Sequence, residues 1–374
     1  MKLEQMVRSV YPNLMPYTCA LADLPIEEMK KALGKERVYK LSFNENPLGP
    51  SPKAIAAMQQ SLAQLNLYPS SSGDAVQAKI AEKEGVHPEN VILSNGADEM
   101  IILVAQTFLE PQDEAIIPQV CFVQYLASTH VMGAKPVFSR MKDDLSIDLE
   151  DVLQKITAKT KVVFLCNPNN PTGTVIPADE MKTFLQRVPE NVLVVIDEAY
   201  HEFAEGDGYA SSVELTKEFA NVFVIRTFSK IYSLAAARIG YGIGQAELVD
   251  AVNHVRPPFN VNSIAQAGAL ASLDDAEHVA SSRENNRRGK QLLHRTFDEL
   301  GLSYLKSQAN FVCVDTGLEG SEVFDRLAER GIIVRTLNGY GLTSHLRVSI
   351  GLPEEMEAFA LAFKEIIQTS KTNA

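Results

Sequence analysis

Lys230 is the residue of this chain around which others with chemical potential gather. It follows an apolar run, Val222 to Ile225, through the turn Thr227-Phe228-Ser229, and Arg238 stands eight positions further on. A lysine at the mouth of a buried strand is either a solvated strand end or an amine placed to bond a carbonyl compound. Other apolar runs end in polar residues too. Val192–Ile196 ends in Asp197-Glu198-Ala199-Tyr200, where the aspartate is either a capping acid or a partly buried carboxylate that needs a cationic partner to stay ionised. Val162–Cys166 runs into Asn167-Pro168-Asn169-Asn170-Pro171-Thr172-Gly173, a rigid loop that presents amide side chains. Val91–Ser94 opens into Asn95-Gly96-Ala97-Asp98-Glu99, which is either an ordinary helix cap or a glycine turn feeding an anion-binding helix start. A further loop, Pro118 to Tyr125, carries Phe122, which taken alone would belong to the core.

In an open parallel sheet, ligands lie outside the carboxyl ends of the strands, so these five ends would converge on one crevice. The set comprises an anion nest, an amide, a carboxylate beside a phenol, an aromatic face and a lysine. Pyridoxal 5'-phosphate requires such a set. A lysine bonds its aldehyde, an aspartate keeps its ring nitrogen protonated, an aromatic ring stacks on its plane, and a helix start with an arginine takes the phosphate.

The elements that must hold these residues are strands that are apolar throughout, not alternating, as a parallel sheet covered on both faces requires. The strands predicted are Val91–Ser94, Ala115–Pro118, Pro136–Phe138, Val162–Cys166, Val192–Ile196, Val222–Ile225 and Ile239–Ile243, with helices such as Asp98–Phe108 and Asp179–Gln186 between them. Residues 41–258 thus read as one large α/β domain with a mostly parallel sheet between helices. Residues 259–374 read as a smaller α+β domain, with strands at Asn310–Asp315, Ile332–Arg335 and Leu346–Ile350 and a last helix at Glu354–Ile367. Residues 1–40 read as an arm that returns to the small domain or reaches a partner. Its Leu3, Met6, Val7 and Val10 have helical spacing before Pro12, and a second helix is expected at Ile26–Leu33.

Composition agrees with a soluble enzyme: 374 residues, 45% hydrophobic and 22% charged. A net charge of −12, from 35 basic and 47 acidic residues, argues against nucleic acid or an anionic membrane as partner. Cys19, Cys121, Cys166 and Cys313 are scattered and form no metal-binding pair, so no metal site and a reducing, cytoplasmic setting are expected. The opening MKLEQMVRSV lacks a signal-type apolar core, and no run is long enough to span a bilayer.

The motifs SFNENPLGPSPKA (42–54), LSNGADE (93–99), NPNNPTG (167–173), VVIDEAY (194–200), TFSKIYSLAAARIGYGIG (227–244), RPPFNVNSIAQ (256–266), ANFV (309–312) and GYGLTSHLRVSIG (339–351) span nearly the whole chain. On these the chain resembles the fold-type I pyridoxal-phosphate aminotransferases, and it is most similar to their histidinol-phosphate branch. The resemblance implies that Lys230 is the Schiff-base lysine and the proton carrier. It implies that Asp197 pairs with the ring nitrogen, that Tyr200 and Asn170 bond the phenolic oxygen, and that Phe122 stacks on the ring. The phosphate falls to the backbone of Ala97 and Asp98 with Ser229 and Arg238, joined by Tyr68 from the partner subunit of a homodimer with shared sites.

For the substrates, a small-molecule amino donor and a 2-oxo acid, the resemblance implies Arg347 and Arg335 as an anion clamp, with Tyr17 from the arm. The alternation of Leu346, Val348 and Ile350 with Arg347 and Ser349 turns the arginine away from the apolar side, where it is either a solvated strand residue or the clamp. Two guanidiniums suit a dianionic phosphate better than one carboxylate. The implied activity is ping-pong transamination between L-histidinol phosphate and 2-oxoglutarate. An aromatic or other amino-acid aminotransferase stays open, because the segment Tyr17-Thr18-Cys19-Ala20 departs from the pattern usual in that branch. So does a decarboxylase or oxidase on the same scaffold, because the bond broken depends on which substituent stands perpendicular to the cofactor ring.

Overall fold

The structure, a computed structural model, describes residues 6–14, 20–206 and 208–372. The apolar runs form one seven-stranded sheet in the order Val91–Ser94, Gly240–Ile243, Val222–Thr227, Leu193–Asp197, Thr160–Cys166, Glu114–Pro118, Lys135–Ser139. Six strands run parallel and Gly240–Ile243 runs antiparallel to both its neighbours. The runs are apolar throughout because successive side chains enter different cores. Val163, Leu165, Val194, Ile196 and Val224 pack on one face, while Val162, Phe164, Val195, Phe223 and Ile225 pack on the other. Gly240 lets its strand lie against the start of helix Ala97–Phe108, since a Cβ there would stand 2.7 Å from the Ala97 nitrogen.

A second sheet has the order Arg335–Leu337, Leu342–Ser349, Phe311–Asp315, all antiparallel. Its core gathers Val312, Val314, Leu346 and Val348 with Leu293, Phe297, Phe359 and Phe363 from the helices Ala276–Leu300 and Pro353–Thr372. The arm joins this part: Tyr39–Lys40 pairs in parallel with Ile332–Ile333, and Met29 of helix Ile26–Leu33 packs with Val38, Ala328 and Ile333. Helix Ser263–Leu273 buries Ala265 and Ala269 in the core of the large sheet, whereas the next helix carries the chain over to the small one.

Three expectations change. Residues 6–10 form turns, not the end of an amphipathic helix, and Pro12 lies inside a 3₁₀ turn, Tyr11–Asn13; residues 1–5 are outside the described set. So short a stretch before a proline has too few hydrogen bonds to offset helix nucleation. The strand expected at Ile332–Arg335 splits, because Ile332–Ile333 serves the arm and Arg335–Leu337 serves the antiparallel sheet. The helix that the sequence leads one to expect from about Pro52 to Leu65 ends at Ser61 and tightens into a 3₁₀ turn at Leu62–Gln64. Among the described residues no helix is long and apolar enough to cross a membrane.

Candidate active site

A cavity of about 530 Å³ opens at the carboxyl ends of the central strands, lined by Lys230, Asp197, Tyr200, Asn170, Phe122 and Arg238 among others. Register explains the convergence: the Asp197 Cα pairs with Cys166 on one side and Ile225 on the other, so the strands ending at Cys166 and Asp197 stop at one level and Val222–Thr227 runs two residues beyond it. Lys230 is carried in by the turn after Val222–Thr227, and its Nζ donates to the Phe43 carbonyl at 3.0 Å. Burial, helped by the positive charge of Arg347, lowers its pKa to about 8.

Asp197 is buried. Burial pushes its pKa up to about 6, against the pull of two donors. These are the Tyr125 hydroxyl, 2.7 Å from Oδ2, and the Ala199 N–H, 3.0 Å from Oδ1. Tyr125 is itself stacked on Phe164 at 5.0 Å and meets Phe122 edge-on at 5.8 Å, so the aromatic wall and the carboxylate are one packed unit. Next to it, Glu198 forms a buried ion pair with Arg226 (2.9 Å), which also reaches Glu84 at 2.7 Å. That pair fixes the turn after the aspartate to the neighbouring strand.

At the other end of the cavity stands the start of helix Ala97–Phe108, whose first N–H groups have no partner within the helix. Gly96 precedes it with φ 80°, and a Cβ there would lie 2.9 Å from Arg238 Cζ and closer still to Nη2. Only glycine leaves the guanidinium its place. Arg238 donates to Asp98 Oδ2 at 3.1 Å, to the Ala235 carbonyl at 3.0 Å and to Ser229 Oγ at 3.5 Å. Tyr200 is held protonated by burial, and its oxygen accepts from Asn44 Nδ2 at 3.0 Å.

Arg347 is only 7% exposed, which removes the solvated-strand alternative. Facing away from the apolar side here means facing the crevice. Its guanidinium donates to Asn170 Oδ1 at 2.6 Å and to the Ser42 carbonyl at 2.5 Å, and it lies 5.4 Å from the Phe311 ring. Arg335 does not line the cavity, but it is the register partner of Arg347, so the two side chains leave the same face of the small sheet. Tyr68 is 83% exposed, stacked on Phe259 at 4.7 Å and outside this chain's own cavity. Tyr17 lies outside the described residues.

Sequence reading missed Asn44, Tyr125, Ser349 and the Phe43 carbonyl. Their motifs were visible, SFNEN, PQVCFVQY and LRVSI, but nothing in the spacing of those motifs says which residues meet across the fold.

The residues present fit pyridoxal phosphate. A nucleophilic amine of lowered pKa, a buried carboxylate, an aromatic edge and a glycine-permitted phosphate cradle surround one space of suitable size.

The aminotransferase class I and II family matches residues 36–363. The chain is 40% identical over 362 residues to histidinol-phosphate aminotransferase of Caldicellulosiruptor saccharolyticus, covering 97% of this chain and 100% of that protein. It is 44% identical over 357 residues to histidinol-phosphate aminotransferase 2 of Pseudomonas fluorescens, 95% of each. Among solved structures it resembles histidinol-phosphate aminotransferase from Sinorhizobium meliloti in complex with pyridoxal-5'-phosphate. The TM-score is 0.86 and identity 28%, over 96% of this chain and 99% of that one.

Proposed function

Because the chain belongs to the class I and II aminotransferases, we propose that it transfers the amino group of L-histidinol phosphate to 2-oxoglutarate, with pyridoxal 5'-phosphate as its cofactor. The observation that carries this is the grouping of Lys230, Asp197, Arg238 and Arg347 around one cavity, with Arg335 directly opposite Arg347. Like charges opposite each other on antiparallel strands repel, and a doubly charged phosphate between them turns that into binding. The relatives' names support the same donor.

Bound pyridoxal phosphate supplies an aldehyde for the amine to join and a ring that takes up the electron pair released when the substrate's C–H bond breaks. The chain's residues do the rest. The Lys230 nitrogen would anchor the cofactor, and once displaced by the substrate's amine it would be the free amine placed to take and return a proton; its lowered pKa makes the neutral amine accessible near physiological pH. Asp197, kept in place by Tyr125 and the Ala199 N–H, would hold the proton on the ring nitrogen. Tyr200 and Asn170 would bond the phenolic oxygen, and Phe122 would stack on the ring. The N–H groups of Ala97 and Asp98, with Ser229 and Arg238, would hold the phosphate. Arg347 and Arg335 orient the donor phosphate in one half-reaction and a 2-oxoglutarate carboxylate in the other, as a ping-pong sequence demands.

The active form in this reading is a cytoplasmic homodimer. Tyr68 is exposed among Leu62, Leu65 and Leu67, which are exposed too, so it is free to reach the phosphate in the partner's cavity. The same reading divides the chain into the arm 1–40, a large domain and a small domain. It shifts their boundary from 258 into helix Ala276–Leu300, because Ala265 and Ala269 pack with the large sheet. Incubation with L-histidinol phosphate and 2-oxoglutarate tests the function: glutamate must form. Glutamate from phenylalanine but not from L-histidinol phosphate would move the assignment to an aromatic aminotransferase.

A further inference from the structure

Asn44 belongs to the SFNEN motif, yet the cofactor and substrate contacts above give it no part. It is buried, and each of its polar groups is engaged. Its backbone N–H donates to Ser349 Oγ at 2.9 Å, and its carbonyl accepts from Asn310 Nδ2 at 2.9 Å. Its side-chain Oδ1 accepts from Ser349 Oγ at 2.8 Å, and Nδ2 donates to the Tyr200 oxygen at 3.0 Å. Ser349 decides which way the amide points. Its oxygen already accepts the Asn44 N–H, so its own proton needs an acceptor, and Oδ1 is that acceptor. The reversed amide would offer Ser349 a second donor and leave the hydroxyl proton with nothing to bond.

The Tyr200 oxygen therefore receives a hydrogen bond. Among the described residues no protein acceptor is recorded for the Tyr200 proton, and the residue lines the cavity. A hydroxyl whose oxygen is already accepting is also the stronger donor. We infer that Asn44, locked by Ser349, is a positioning residue that fixes the Tyr200 hydroxyl as a donor into the cofactor cavity, toward the cofactor's phenolic oxygen. The chain Ser349–Asn44–Tyr200 crosses from the small sheet to the large one. It starts two residues after Arg347 and ends three after Asp197.

This rests on the reading that pyridoxal phosphate binds at Lys230. A hydroxyl donating to the phenolic oxygen disperses charge there and weakens the hold on the proton shared with the lysine nitrogen. Its loss raises the pH at which the visible band of the loaded protein titrates. The test is a spectral pH titration of wild type, Asn44→Gly, Asn44→Asp, Ser349→Ala and Ser349→Thr, with melting temperatures recorded alongside. Glycine removes the amide at a backbone φ of 55° that it adopts without strain. An aspartate can only accept, so it draws the Tyr200 proton away from the cavity. The expected midpoint rises by roughly half a pH unit for Asn44→Gly and more for Asn44→Asp, rises less for Ser349→Ala, and returns to the wild-type value for Ser349→Thr. Variants that melt earlier or bind cofactor less tightly, yet titrate where the wild type does, would overturn the inference and leave Asn44 a structural residue only. A wild-type protein with no visible band after loading would remove the cofactor reading itself, and this inference with it.

Discussion

The Arg347 guanidinium donates to the Asn170 side-chain oxygen at 2.6 Å, which fastens the strand Leu342–Ser349 of the small sheet to the loop after strand Thr160–Cys166 of the large one. In the proposed function, one residue of this pair would bind the substrate's anionic group and the other the cofactor's phenolic oxygen. Arg347→Ala is expected to raise KM for both substrates on the order of 10- to 100-fold, the worth of a lost charge-assisted bond. Cofactor affinity should change much less. Arg347→Lys keeps the charge but not the two-point geometry, and should recover only part of the loss. Unchanged KM in the alanine variant would make Arg347 a tie between the sheets and nothing more.

Gly96 gives the phosphate end its own test. An alanine there forces its Cβ into the Arg238 guanidinium at a backbone φ of 80° that suits glycine. Gly96→Ala should weaken pyridoxal phosphate binding about 10-fold or more in an equilibrium titration, as expected when one charged phosphate contact is displaced. Equal affinity in variant and wild type would place the phosphate elsewhere.

The pKa of Lys230 predicts how cofactor loading depends on pH. Burial and Arg347 lower it to about 8 in the cofactor-free protein. Only the neutral amine attacks an aldehyde, so the attachment rate should climb about tenfold per pH unit at low pH and level off once pH exceeds about 8. Stopped-flow absorbance of cofactor-free protein mixed with pyridoxal phosphate measures it. A rate that is flat through this range would mean that the attacking group is not a lysine of lowered pKa.

The buried pair of Glu198 and Arg226 should matter more for stability than for chemistry. Removing the carboxylate leaves a desolvated guanidinium with Glu84 as its remaining carboxylate and Ser211 Oγ as a neutral acceptor. Glu198→Ala should cost about 3–5 kcal/mol in chemical unfolding, the usual penalty for breaking a buried ion pair on one side. A loss below about 1 kcal/mol would show that water reaches the arginine.

Much of the fold was legible because a parallel sheet covered on both faces needs strands that are apolar at every position, and runs such as Val162–Cys166 and Val222–Ile225 have no other use. The cofactor side was legible for a related reason: Asp197 stands where the run Val192–Ile196 stops, and Lys230 lies in the turn that follows Val222–Ile225. Arg347 was half legible. Alternation along its strand gave the face it leaves from, but not that the NPNNPTG loop covers that face. The Asn44 contacts were not legible at all. They join positions 305 and 156 apart in the chain, and such pairings follow from how the two sheets dock, not from local spacing. The N-terminal periodicity misled for the opposite reason: a helical pattern needs enough length and a surface to cover before it forms a helix.

The account stands most directly on one single-turnover measurement. Protein loaded with pyridoxal phosphate, treated with borohydride and mapped, should carry the cofactor on Lys230. The untreated protein, mixed with stoichiometric L-histidinol phosphate and no 2-oxo acid, should lose its visible band, and phenylalanine should do this far more slowly. No carbon dioxide should be released and no oxygen consumed. A band that persists with L-histidinol phosphate but disappears readily with phenylalanine, or a reaction that releases carbon dioxide or consumes oxygen, would contradict it.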